Sequence, residues 1–263
     1  MDLQLQNKLS LVTGSTAGIG YSIAEALAVE GASVIINGRS QQSVDEAIGK
    51  LRQKASGKLF GYAGDLSRED AAEELAREHP DVDILINSLG IFEPVPFGQI
   101  TDADWRRFFE VNVLGGVRLS RLYLPGMKQR NWGRIIFISS ESGVQIPPEM
   151  IHYGMTKAAQ IAIARGLAES VAGTGITVNS VLPGPTRSRG VVEFVGKIAK
   201  EKGKTFDEFE AGFVEEMRPS SIIKRFATTE EVASMVAYVA SPLASATTGA
   251  ALRVDGGVIR SAF

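Results

Sequence analysis

The chain has 263 residues, 44% of them apolar and 22% charged, with a formal net charge of −2, two histidines and no cysteine. This length suits one large α/β domain or two small ones, and the composition is that of a soluble globular protein. The near-neutral charge offers no basic stripe for nucleic acid, the missing cysteines remove disulfides and thiolate chemistry, and two histidines leave little for zinc or a Ser-His-Asp triad.

Residues 9–13 (LSLVT) form a short apolar run that stops at Gly14, and a helical pattern opens near Gly18 and lasts to Glu30. Gly31 closes that helix, and residues 33–37 (SVIIN) read as the next buried strand. The alternation continues with helix 41–53, strand 58–62, helix 68–78 and strand 83–87. A longer helix is predicted over 101–127, with Asp102 and Asp104 near its positive end. Strand 133–139 (GRIIFIS), a helix carrying Tyr153, strand 176–182 (ITVNSVL), helix 229–240 and a last strand over 250–254 follow. Apolar strands alternating with helices predict a doubly wound parallel sheet of about seven strands, helices on both faces. No repeat or linker divides the chain, so a single domain over 1–263 is expected. No apolar run reaches membrane-spanning length and the opening MDLQLQNK lacks a signal-peptide pattern, so the expectation is a cytoplasmic protein without a membrane partner.

The interval 187–225 breaks this rhythm. It carries one apolar stripe, Val191, Val192, Phe194, Val195 and Ile198, and a second, Phe206, Phe209 and Phe213, among many lysines and glutamates. Such stripes need a surface to cover, and a connection this long in a compact domain points to a substrate lid. Permanent packing on the domain, or an oligomer contact, is the alternative.

Between the first strand and first helix stands Thr13-Gly14-Ser15-Thr16-Ala17-Gly18-Ile19-Gly20. Glycines there permit a tight turn and close approach of backbone N–H groups to a pyrophosphate, which a helix N-terminus also favours. The spacing is G-x-x-x-G-x-G, not the commoner G-x-G-x-x-G. At the end of the second strand, where an acid would hold a ribose hydroxyl, the chain reads Asn37-Gly38-Arg39-Ser40. An arginine fork suits a 2′-phosphate, so NADP(H) is favoured over NAD(H); a solvated loop arginine is the other reading.

The stretch SESGVQIPPEMIHYGMTK, residues 140–157, places Tyr153 and Lys157 four apart, on one face of a helix. A cation ~4 Å from a phenol at an effective dielectric of ~20 is worth ~4 kcal/mol to the phenolate, at most ~3 pKa units. That would bring the phenol towards the range of general acid–base catalysis. Such a pair also occurs on plain solvated helix faces. His152, beside the tyrosine, faces another way on the helix and is not expected to participate.

Together these pieces resemble the short-chain dehydrogenase/reductase family over essentially the whole chain. Residues 13–20 match its TGxxxGIG turn, and Asp65-Leu66 looks like its adenine-contacting pair. Asn87-Ser88-Leu89-Gly90 matches its N-N-A-G at Asn87 and Gly90. Asn112, Ser140, Tyr153 and Lys157 match its catalytic set, Ser140 preceding Tyr153 by the usual thirteen residues. Pro183-Gly184 and Thr186 resemble the segment that holds the nicotinamide carboxamide, and Asp255-Gly256-Gly257 is similar to the tail of the 3-oxoacyl-acyl-carrier-protein reductase branch.

The resemblance implies hydride transfer between NADP(H) and a carbonyl or secondary alcohol, with Tyr153 as general acid/base. Lys157 would lower the phenol's pKa and bind the nicotinamide ribose, Ser140 would hold the substrate oxygen, and Asn112 would anchor a water leading from Lys157 to solvent. A cofactor site of Gly14, Ser15, Thr16, Gly18, Ile19, Gly20, Arg39, Ser40, Asp65, Leu66, Asn87, Gly90, Tyr153, Lys157, Pro183, Gly184 and Thr186 is implied, with no metal. A homo-oligomer, by family analogy a tetramer, is expected. The narrower alternative is an acyl-carrier-protein substrate; a different one is a catalytically silent cofactor-binding regulator.

Overall fold

The computed structural model of the protein describes residues 1–188, 190–192 and 205–262. Seven strands among these residues are β1 (Leu9–Val12), β2 (Ser33–Gly38), β3 (Leu59–Ala63), β4 (Ile84–Asn87), β5 (Gly133–Ile138), β6 (Ile176–Pro183) and β7 (Ala251–Val254). They lie in the order β3-β2-β1-β4-β5-β6-β7, every pairing parallel. The order reverses between β1 and β4, which opens a crevice at the carboxyl ends of the strands, where doubly wound sheets bind ligands.

Helices α1 (Gly18–Val29), α2 (Gln41–Leu51), α3 (Glu69–Glu78), α4 (Asp102–Phe109), α5 (Gly115–Arg130), α6 (Ile151–Glu169), α7 (Phe206–Met217) and α8 (Thr229–Ala240) complete the frame. Successive strand residues serve opposite faces. Val12, Ile36, Ile86 and Ile136 pack against Ile23 and Leu27 of α1 and Val232 and Val236 of α8. Their neighbours Leu11, Ile35, Leu85 and Ile135 pack against Leu75 of α3, Leu119 and Tyr123 of α5 and Ala164 of α6. Fully burying each such aliphatic side chain stabilises the fold by about 1.5–3 kcal/mol. The expected single-domain doubly wound sheet is what the chain forms.

The long helix expected over 101–127 is two helices. Thr101 and Asp104 make a capping box at the start of α4, and a π turn over Glu110–Leu114 separates α4 from α5. A uniformly helical sequence pattern hides the break because its cause lies outside the helix. Asn112 at the centre of the turn is tied to the chain after β4 and to α6. α5 tolerates Pro125 and runs on to Arg130, ending where Asn131 turns left-handed at φ 48°.

Part of the interval 187–225 forms α7, capped by Thr205 with Glu208. The expected stripe members Phe194, Val195 and Ile198 lie outside the described residues, as do the side chains of Phe206 and Phe209. No helix among the described residues is long and apolar enough to cross a membrane.

Candidate active site

The glycine turn after β1 is held by buried polar groups. Ser15 Oγ donates to Val12 O at 2.7 Å and accepts from Asn37 N at 2.9 Å, while Asn37 Oδ1 accepts from Gly14 N at 3.0 Å. The Asn37 amide donates onward to Gly64 O, so one side chain joins the ends of β1, β2 and β3. Thr13 Oγ1 accepts from Ser88 N and Leu89 N, both at 2.9 Å, tying β1 to the chain after β4. Gly14 and Gly18 take φ of +63° and +59°, where a β-carbon is strained, and a Cβ at Gly20 would meet Gly14 O at 2.5 Å. Ala17 gives α1 no side-chain cap, and Ala17, Gly18, Ile19 and Gly20 at this helix start line the crevice.

Beyond this turn a cavity of about 680 Å³ runs past Gly90 to Ser140, Tyr153 and Lys157, and on to Pro183, Gly184 and Thr186. Gly14, Gly18, Ile19 and Gly20 form its other end. Other expected site residues are placed differently. Ser15 is buried with its hydroxyl turned inward. Arg39 and Ser40 are exposed at the end of β2, and Ser40 caps α2. Asp65 accepts from Ser67 N and Oγ at 3.0 and 2.7 Å. Leu66, Asn87 and Asn112 line a small adjoining pocket, and the Asn87 Oδ1 has no hydrogen-bond partner. Thr16 packs on Gly38, where a Cβ would lie 2.5 Å from its methyl.

Tyr153, Lys157 and Gln160 all project from α6, one turn apart. Ser140 caps the short turn after β5, accepting from Ser142 N at 3.1 Å, and both it and the Tyr153 phenol border the cavity. Ser139 Oγ donates to Lys157 O at 2.8 Å, which clamps α6 to the end of β5. Lys157 Nζ donates to Ile138 O at 2.9 Å and Gln160 Oε1 at 3.2 Å, and lies 5.5 Å from the centre of the Tyr153 ring. Asn112 exchanges hydrogen bonds with the Ile91 backbone, at 2.8 and 3.0 Å, and donates to Thr156 Oγ1 at 3.0 Å. Its backbone carbonyl accepts from Gln160 Nε2.

The electrostatics depart from the expectation drawn from spacing. Burial pushes the Tyr153 phenol up to about 12, against the opposing pull of the neighbouring Ser140 hydroxyl. Burial also draws Lys157 down to about 7. A lysine that is itself costly to charge in this pocket is not a full fixed cation, so it does not pull the phenol down as a solvated ammonium would. The phenol therefore carries its proton throughout the neutral range.

The far wall of the cavity comes from α7, through Gly212, Phe213, Glu216 and Met217. α7 is fastened from its middle and from just past its end. Glu210 accepts from Phe226 N at 2.8 Å and pairs with Arg187 at 2.6 Å. After α7, Arg218 donates to Glu141 at 2.9 Å and Glu149 at 3.2 Å. Sequence reading missed Glu141, Glu149, Arg218 and Gln160. Charged residues in an otherwise apolar stretch around Tyr153 were the available signal for the first two; their partner stands 69 or more positions away.

A parallel sheet with a glycine turn at its switch point, joined by one cleft to a Ser-Tyr-Lys cluster, defines a nucleotide-binding oxidoreductase of the Rossmann-like class. The family profile described as enoyl-(acyl carrier protein) reductase matches residues 14–259. The chain is 49% identical to the uncharacterized oxidoreductase YvaG of Bacillus subtilis, over the full length of both. It is 34% identical to the 3-oxoacyl-[acyl-carrier-protein] reductase FabG of Aquifex aeolicus, over 98% of this chain and all of the other. Among solved structures, L-sorbose reductase from Gluconobacter frateurii, complexed with NADPH and L-sorbose, superposes with a TM-score of 0.93 at 30% identity, over 99% of this chain and 100% of that one. The chain belongs to the short-chain dehydrogenase/reductase family, and it resembles the 3-oxoacyl-[acyl-carrier-protein] reductase branch.

Proposed function

We propose that the protein is an NADP(H)-preferring reductase of small carbonyl compounds, or the corresponding alcohol dehydrogenase, with Tyr153 as general acid/base. The observation that carries this reading is the single cavity joining the glycine turn to Ser140, Tyr153 and Lys157. The residues fit a dinucleotide: the strained glycines leave room for close approach, and the uncapped start of α1 offers N–H donors to a pyrophosphate. Residues 14–20, Gly90, Pro183, Gly184 and Thr186 would hold it, with Asp65, Leu66 and Asn87 supporting its walls. The bound reduced nicotinamide would supply hydride to the substrate carbon.

The chain's own residues do the rest. Tyr153 holds a proton on its phenol and delivers it to the substrate oxygen as negative charge develops there. Ser140 donates to the same oxygen, stabilising that charge as it develops. Lys157 directs its remaining N–H into the cleft, towards Tyr153 and the ribose. Arg39 stands exposed at the end of β2, where no carboxylate occupies its place, and its fork is suited to a 2′-phosphate.

The test is NADPH consumption, followed by absorbance, across a panel of ketones and aldehydes. Tyr153→Phe should keep its fold and NADPH binding while turnover falls by about 10² or more, as for loss of a positioned acid. Near-normal turnover by that variant would sink the assignment.

A further inference from the structure

Gln160 lies on α6 three residues beyond Lys157 and is 1% exposed. A buried amide is costly unless both ends of its dipole find partners. Both do. Oε1 accepts from Lys157 Nζ at 3.2 Å and Nε2 donates to the Asn112 carbonyl at 2.5 Å. A backbone carbonyl can only accept, so the orientation of the amide is fixed by its partners. The acceptor carbonyl belongs to the π turn over Glu110–Leu114. Such a turn shifts carbonyls out of the regular helical ladder and frees them for side-chain donors.

We propose that Gln160 is a positioning residue for the reaction: its amide ties Lys157 Nζ to the Asn112 carbonyl, setting the direction of the lysine's free N–H and how firmly it keeps its proton. The consequence for catalysis rests on the proposed role of Lys157 beside Tyr153; the tie itself does not. With Ile138 O and Gln160 Oε1 each taking one N–H, a single direction remains for the cleft. Both acceptors favour the ammonium against the burial that draws Lys157 down to about 7.

Among the described residues, few other charges act on the lysine. Tyr153 faces it from its own helix, and Gly90 and Asn112 approach it uncharged from the chain after β4 and from the π turn. Glu141, after β5, and Arg218, after α7, act on the Tyr153 side of the cluster, and Asp255 stands behind Glu141. Removing the Gln160 acceptor should therefore make the ammonium easier to lose, and a carboxylate in its place should make it harder to lose.

The measurement is an NMR titration of the ligand-free full chain labelled at lysine Cε, the Lys157 signal being identified by its absence from Lys157→Met. Gln160→Met should move the Lys157 midpoint down by about one pH unit, and Gln160→Glu should move it up by at least about as much. In NADPH oxidation with 2,3-butanedione as the carbonyl probe, Gln160→Met should lower kcat about 10-fold and change KM by less than about 3-fold. The alkaline limb of each variant's rate profile should follow its midpoint.

Unmoved midpoints in folded variants overturn the proposal. So does a lower melting temperature with a wild-type midpoint and rate profile, which would make Gln160 a packing residue. Should Gln160→Met fail to fold, the direction of the Gln160→Glu shift decides alone. A wild-type protein that oxidises NADPH with no carbonyl would count against the proposed function while the titration still judges Gln160.

Discussion

Arg218 and Glu141 stand 77 residues apart in the chain and form a buried ion pair, Nε to Oε1 at 2.9 Å, one residue beyond Ser140. Burial raises the Glu141 carboxyl against the pull of Arg218, so the arginine is what makes a carboxylate tolerable there. Breaking a buried pair from one side typically costs about 3–5 kcal/mol, because the other charge is stranded. Arg218→Met should lower the stability read by urea denaturation by that order and reduce turnover through the displaced Ser140 turn. Arg218→Met combined with Glu141→Gln should recover most of the stability. Equal stability of the single variant and the wild type would show that the pair holds nothing in place.

Arg39 tests the cofactor preference. Arg39→Ala should weaken NADPH binding by about 1.5–3 kcal/mol, the range for a hydrogen bond to a charged group, and leave NADH nearly unchanged. Fluorescence titration with both dinucleotides reads this. Equal losses, or a wild-type preference for NADH, would return Arg39 to the status of a solvated loop residue.

Phe213 lines the cavity and meets Phe226 edge-on at 5.4 Å between ring centres. Apolar pocket contacts discriminate by about 1–3 kcal/mol, or about 10–200-fold. Phe213→Ala should shift the kcat/KM ratio between bulky and small ketones by a factor in that range, with NADPH affinity intact. A variant that loses stability with unchanged selectivity would place Phe213 in the core alone.

His152 is fully buried, its two ring nitrogens have no hydrogen-bond partner, and Phe108 packs on it at 4.0 Å. Burial lowers its pKa below the usual 6.5. The folded state therefore holds the ring neutral, and the unfolded chain takes the proton first as pH falls. Stability from this residue is complete above about 6.5 and is lost progressively as pH drops from there towards the lowered folded value. Urea denaturation from pH 8 to 5 should show a steeper acid loss for the wild type than for His152→Phe. Parallel profiles would mean that the ring finds a partner or water when charged.

Much of this architecture is legible in the sequence, for a physical reason. Strands of a parallel sheet are buried on both faces, so runs such as LSLV, SVIING and GRIIFI stand out as apolar, and the glycine turn announces itself through backbone demands no other residue meets. Ser140, Tyr153 and Lys157 lie close enough in sequence for helical geometry to join them. What stays hidden depends on contacts across the fold. Asn37 reads as a missing acid, yet its amide pins the glycine turn. Gln160 reads as one more polar residue on an amphipathic helix, and nothing in the local pattern points to the Asn112 carbonyl 48 positions earlier. The electrostatics were hidden as well, since spacing gives the distance between two charges but not the cost of burying both.

The π turn between α4 and α5 carries a consequence for how this site could change over time. A wider turn accommodates a residue more than the regular helix would at the same rise. Removing a single residue from Glu110–Leu114 would let α4 and α5 fuse into one continuous helix, which local backbone energetics favour. The fused helix would rotate Asn112 away from Ile91, Thr156 and Gln160 at once. The smallest deletion that regularises the scaffold is thus also the smallest that dismantles the support behind Lys157.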